Sequence, residues 1–211
     1  PLCGRLAVDV LTWSIAGVLL LLWRLYPHFT PALNHDSFQY LSAAQNALSG
    51  HAGYTSLVHF DVERSFGQIP APMLTFAPGY PLAVAALSVV GLSSTTAALL
   101  VSVLSMLACI PLLAWASARL GLSRSACNAV IACVVLNGAV VEFATFALSE
   151  ALFTMLVLLG AVSLVAARTR VGASAQAAWI GAGLAFGAAY SVRYAGLFFI
   201  AGLALLLGRH L

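Results

Sequence analysis

AALLVSVLSMLACIPLLAWAS, residues 97–117, is an uninterrupted apolar run without a charge. A helix needs about 20 such residues to cross the hydrocarbon of a bilayer, so Ala97–Ser117 is a full crossing. In hydrocarbon only helices and closed barrels satisfy every backbone N–H and C=O. The run is continuous, whereas barrel strands alternate over roughly ten residues. An all-α integral membrane fold follows. Working outward, further apolar runs lie at Leu6–Trp23, Ala126–Val141, Leu148–Ala167, Ala175–Tyr190 and Ala195–Leu207. The whole chain agrees. It is 62% hydrophobic and 7% charged, with a mean hydropathy of +1.02, against about 45–50% and 25% in soluble domains.

The net charge of +3 comes from arginine alone, since there is no lysine. In this composition it is a topology signal rather than a nucleic-acid footprint, and no nucleic-acid partner is expected. The first run is long for a signal peptide, and Trp23-Arg24 follows it in place of a small-residue cleavage site, so an uncleaved anchor is expected. Leu82–Leu92 is apolar but short. If it stays outside, Arg5, Arg119, Arg124, Arg168, Arg170 and Arg209 are cytoplasmic. If it crosses, Arg119 and Arg124 move outside against the positive-inside rule. It is therefore read as a juxtamembrane or re-entrant helix. The result is one membrane domain over 1–211, with about six transmembrane helices. These are a first helix at 1–25, a long external loop at 26–94 carrying juxtamembrane helices, and further crossings in 95–211.

This topology gathers Asp36, Asp61, Glu63, Glu142 and Glu150 on the outer face with His28, His35, His51 and His59. Only Asp9 stays near the cytoplasm. The cysteines, Cys3, Cys109, Cys127 and Cys133, form no C-x-x-C, and buried cysteine behaves as a small hydrophobe. The chain begins at Pro1 and stops at Leu211 just after an apolar run, so a piece of a longer polypeptide is expected.

Asn34–Tyr54 is a polar island in this apolar chain. Within it Ser37–Leu48 has a helical pattern, with Phe38, Leu41, Ala44 and Leu48 on one face, ended by Gly50 and Gly53. Asp36 precedes it, beside His35. Two readings stand: a general base for an acceptor hydroxyl, or an N-cap at the positive pole of the helix. Glu150, at the mouth of Leu148–Ala167, is an acid at the membrane edge, which marks a site or complements the helix dipole. Glu142 ends the preceding run at a negative pole, where Arg193 or a metal would relieve it. Arg193 suits phosphate oxygens or snorkels to headgroups. The histidines lack ligand spacing, although His35, His51 and His59 can join an acid around a divalent metal. Gly183 and Gly187 are a helix-packing signal.

Several stretches occur in a telling order: DSFQYLSAAQNAL (36–48), GHAGY (50–54), FAPGYPLAVAAL (76–87), LSEALFT (148–154) and GLAFGAAYSVRYAGLFF (183–199). Together they resemble the membrane glycosyltransferases of the GT-C fold. That group includes protein O-mannosyltransferase relatives and bacterial transferases acting on lipopolysaccharide or cell-envelope glycans. The resemblance implies that the chain is the N-terminal half of a larger enzyme in the inner (plasma) membrane, with its active site on the external or periplasmic side. It implies Asp36 as catalytic base or active-site acid, Glu150 as a second acid linked in some members to a divalent metal, and Arg193 as a lipid-phosphate contact. Asp36 and Glu150 are then the candidate metal ligands. Where many members carry a second acid after the loop aspartate, this chain has Ser37.

The function implied is inverting transfer of a hexose or pentose from a polyprenyl-phosphate donor to a glycan, lipid or protein acceptor. His35 would contribute to substrate binding, and Tyr40, Tyr54 and Tyr80 would stack on sugar faces, unless they are interface-belt aromatics. Two other classes compete. A transporter or flippase predicts broken helices and polar groups at the midplane, where Asn128 and Asn137 are the main candidates. A structural subunit would use the polar loop only for docking.

Overall fold

The computed structural model describes residues 2–26, 28–58 and 62–208. His59, Asp61 and Arg209 lie outside the described residues, as do the side chains of Cys3 and Arg5.

The chain is a bundle of helices with one two-stranded ribbon. α1 (Leu2–Leu25) leads to α2 (His35–Leu48), β1 (Tyr54–Thr55), α3 (Val62–Ser65), β2 (Ala71–Pro72) and α4 (Gly79–Ser88). Then come α5 (Ser94–Arg119), α6 (Arg124–Val135), α7 (Gly138–Thr145), α8 (Glu150–Thr169), α9 (Ala173–Val192), a 3-10 turn at Tyr194–Gly196, and α10 (Leu197–Gly208). β1 and β2 pair antiparallel, Tyr54 opposite Pro72 and Thr55 opposite Ala71.

α5 is the long axis of the bundle, as its apolar run requires. Ser93 caps it, its side chain accepting from Thr96 N at 3.1 Å, and it continues through Pro111. It ends at Leu120 before Gly121, whose φ of +77° suits glycine. α8 runs parallel to α5 and α9 returns antiparallel to α8. Small residues let them approach: Gly160 of α8 faces the Phe186 ring of α9 with no room for a Cβ.

Three helices, α1, α5 and α8, are each long and apolar enough to cross a membrane, and α6 with α7 makes a fourth if the pair is one bent span. The expected six crossings are not all continuous apolar helices. Ala126–Val141, expected as one run, breaks at Leu136–Asn137 with a 53° bend. The cause is local: the Asn137 side chain caps α7, accepting from Ala139 N at 2.9 Å and Val140 N at 3.3 Å. α9 spans 20 residues but is diluted by alanine, glycine and Gln176. α10 is described over 12 residues, about 18 Å of helix. α4, at 10 residues, is too short to cross, as expected for a juxtamembrane helix.

α2 corrects two expectations. Its cap is Asn34, not Asp36: Asn34 Oδ1 accepts from Ser37 N at 2.9 Å while Ser37 Oγ accepts from Asn34 N at 3.1 Å, a reciprocal capping box. The inward face is also rotated. Ser37, Gln39, Tyr40, Ala43 and Ala44 are buried, while Phe38 and Leu48 are 52% and 45% exposed. Ser49 then closes the helix before Gly50, which adopts φ +87°.

Two links fix α2 over the mouth of α8. Ala32 pairs in parallel with Phe146, its N–H donating to Thr145 O at 2.9 Å and its carbonyl accepting from Ala147 N at 3.2 Å. Ser102 of α5 donates to Phe146 O at 2.9 Å. Beneath them Tyr40, Ala44, Tyr80, Val84, Ala97, Val101, Leu148 and Val192 form one apolar core.

Candidate functional site

The Ala32–Phe146 pairing brings two segments side by side, with Asp36 four residues after one anchor and Glu150 four residues after the other. Around them a polar chain crosses three helices. The Tyr40 hydroxyl shares a hydrogen bond of 3.1 Å with Ser149 Oγ. Ser149 Oγ also accepts from Arg193 Nη1 at 3.2 Å. The same nitrogen forms a salt bridge to Glu150 Oε1. Tyr40 is 4% exposed and Ser149 is fully buried, so the bond between them lies in low dielectric, where it counts for more than in water.

Asp36 lies one turn before Tyr40 on α2, half-buried. It makes no hydrogen bond among the described residues, and its charge acts on the Tyr40 hydroxyl together with those of Arg193 and Glu150. Burial pushes the Tyr40 phenol above its ordinary value of 10.0, with the Ser149 hydrogen bond and Arg193 opposing it. Tyr40 is therefore a neutral hydrogen-bonding group at physiological pH. Two buried polar atoms lack a hydrogen-bond partner among the described residues, Glu150 Oε2 in this chain and Gln39 Nε2 on α2. Buried polar groups are nearly always paired, and the open Glu150 acceptor suits a hydroxylated ligand.

Glu150 also lines an apolar cleft of about 420 Å³ between α5, α7 and α8, with Met106, Leu113, Phe143, Phe153 and Val157. The cleft runs along the bundle from the polar chain, so a ligand with a charged head and a hydrocarbon tail matches it.

Asp36, Glu150, Arg193 and Tyr40 are thus brought together, and the other candidates are placed differently. Tyr40 offers no open ring face, because Phe76 and Tyr80 pack edge-on at 5.2 and 5.0 Å. Tyr80 is buried with it. Tyr54 sits at the far end of α2, its carbonyl near Asn46 Nδ2 and its ring beside His51. His35 is exposed, with no hydrogen bond among the described residues. Arg193 relieves Glu150 rather than Glu142, which is exposed on α7.

No three of His, Cys, Asp and Glu converge among the described residues, and the Arg193 guanidinium already occupies one Glu150 oxygen. No step below runs through a cation. Sequence reading missed Ser149 as a member of this cluster. It is buried, and local pattern does not distinguish a buried polar linker from a loop residue.

The family model described as dolichyl-phosphate-mannose-protein mannosyltransferase matches residues 79–211. The chain belongs to this family. No curated protein and no solved structure matches it. The mannosyltransferase match starts at Gly79, so it takes in Ser149, Glu150 and Arg193 and leaves α1 and α2, with Asp36 and Tyr40, outside. This all-helical, multi-pass membrane chain is therefore one of a glycosyltransferase family, and the α2 half of the cluster rests on its geometry.

Proposed function

We propose that this chain carries the reaction centre of a glycosyltransferase that takes a sugar from a polyprenyl-phosphate donor. By the family's description the sugar is a hexose such as mannose and the acceptor a protein; a cell-envelope glycan or lipid is the competing acceptor. The observation that carries the reading is the convergence of Asp36, Tyr40, Ser149, Glu150 and Arg193 at the mouth of an apolar cleft.

In this reading the donor's tail lies in the cleft and its phosphate meets Arg193. Only Nη1 of the guanidinium is engaged among the described residues, which leaves the rest of the fork for phosphate oxygens. The acceptor hydroxyl oxygen attacks the anomeric carbon in line, and the bond from that carbon to the phosphate oxygen breaks. The hydroxyl proton passes to Asp36. The phosphate stays on its lipid, with Arg193 stabilising the charge that develops there. The configuration at the anomeric carbon inverts. Ser149 and Tyr40 hold Arg193 and Glu150 in place, and the open Glu150 oxygen receives a sugar hydroxyl.

Sidedness follows from charge. Arg119, Arg124, Arg168 and Arg170 sit at one end of the bundle, and the cluster sits at the other. Under the positive-inside rule the reaction would take place on the external face of the plasma membrane.

The test is Asp36→Asn, assayed for transfer from a lipid-phosphate sugar to peptide, lipid and glycan acceptors. The expected loss is on the order of 10²–10⁴-fold, with the thermal midpoint retained. Unchanged turnover in the folded variant removes Asp36 from the base role. The α6–α7 break is the one feature that favours transport, since transporters use interrupted helices at the midplane. Counterflow of a lipid-linked sugar in vesicles, without any transfer product, would select that reading.

A further inference from the structure

The end of the bundle opposite the polar cluster holds a second cleft, of about 470 Å³. Pro111 and Trp115 of α5, Val162 and Ala166 of α8, and Gly181 of α9 form its walls, and Arg170 lies at its rim. It opens at the bundle surface, where Pro111 is exposed. At about 30 Å³ per water-sized group, it has room for on the order of fifteen methylenes, one acyl chain.

The charge around the opening has one sign. Arg168 and Arg170 end α8 and are exposed, and neither forms an ion pair among the described residues. Arg119 ends α5 with its guanidinium over the ring of Trp115, a wall residue, 5.1 Å from the centroid. The one described acid at this end is Asp9, and Arg124 holds both its oxygens, at 2.7 and 2.6 Å. Arginines at helix C-termini offset the helix dipole, and that accounts for their presence without a ligand. The apolar cleft beneath them is the separate observation that asks for an amphiphile.

We propose that this cleft binds an anionic diacyl phospholipid from the adjoining leaflet. One acyl chain lies between α5, α8 and α9, and the phosphate sits among Arg119, Arg168 and Arg170. The arginine rim is at the other end of α8 from Glu150, about 30 Å away along a helix of 20 residues, and this cleft shares no lining residue with the one that Glu150 lines.

The test uses the purified protein in phosphatidylcholine nanodiscs doped with photoactivatable phosphatidylglycerol or phosphatidylcholine of identical chains. The expected result is crosslinking to α5, α8 or α9 that favours phosphatidylglycerol on the order of tenfold. R168Q/R170Q should bring the two lipids level while keeping the thermal midpoint. Gly181→Phe, whose Cβ would meet only Ser163 at ordinary contact distance, should lower crosslinking of both lipids by filling the cleft. Equal labelling by both lipids in the unmodified protein overturns the proposal, as does a phosphatidylglycerol preference that survives R168Q/R170Q.

Discussion

The Ser149 hydroxyl is the joint of the polar chain, bonded to Tyr40 on one side and Arg193 on the other. Tyr40→Phe and Ser149→Ala should each cost about 1 kcal/mol. Their double variant should cost less than the sum, because both remove the same bond. Thermal unfolding of the four proteins in detergent measures the difference, and strict additivity would mean that the bond carries nothing. Gly79 matters for a different reason. A Cβ there would lie 2.5 Å from the Ser191 carbonyl oxygen, so α4 touches the end of α9 two residues before Arg193. Gly79→Ala should destabilise by about 1–3 kcal/mol and lower transfer activity by moving Arg193. A variant with unaltered midpoint and turnover would show that α4 does not position the site. Ser37 also acquires a reason at this scale. Its hydroxyl completes the Asn34 capping box.

At the scale of elements, α1 and α6 are clamped at two levels. Arg124 holds Asp9 through two parallel bonds, and Trp13 Nε1 donates to Asn128 Oδ1 at 2.9 Å. Asn128 is therefore an interhelical tie, and Asn137 is a cap at the α6–α7 bend. Asp9→Arg alone, which sets two arginines against each other, should lower the thermal midpoint. Combining it with Arg124→Asp should restore most of the loss by reversing the pair. Failure of the double variant to recover would mean that the pair's orientation, and not its charge, holds α1. The β1–β2 ribbon and α3 lie beyond the far end of α2, so substitutions at Tyr54 fall outside the cluster.

At the scale of the whole molecule, the polar cluster and the arginine-rich end are separated by the length of α8, and the core beneath α2 is sealed by two tyrosines. Burial raises both the Tyr40 and Tyr80 phenols above 10.0. The folded chain thus holds these protons more tightly than the unfolded chain does. The resulting stability is complete below about pH 10, the unfolded value, and is lost as pH rises through the folded values. The thermal midpoint should fall steeply on the alkaline side of pH 10. Tyr40→Phe/Tyr80→Phe should flatten that fall, and an unchanged alkaline slope would show that the two phenols are not its source.

The sequence by itself determined the membrane class, most helix positions and the separation of arginines from acids, because these depend on local apolar runs and caps. Ala97–Ser117 needed no partner to be read as a crossing. It also singled out Asp36, Glu150 and Arg193, since a charge stands out against an apolar background. Tertiary structure decided which of these groups meet. Arg193 pairs with Glu150 and not Glu142 because α9 returns along α8 and ends at its mouth. Asp36 joins them because a backbone pairing at Ala32 and Phe146, with no side-chain signature, sets α2 there. The inward face of α2 was decided in the same way: Tyr40 is buried and Phe38 is not because α4 and α5 lie against that side of the helix.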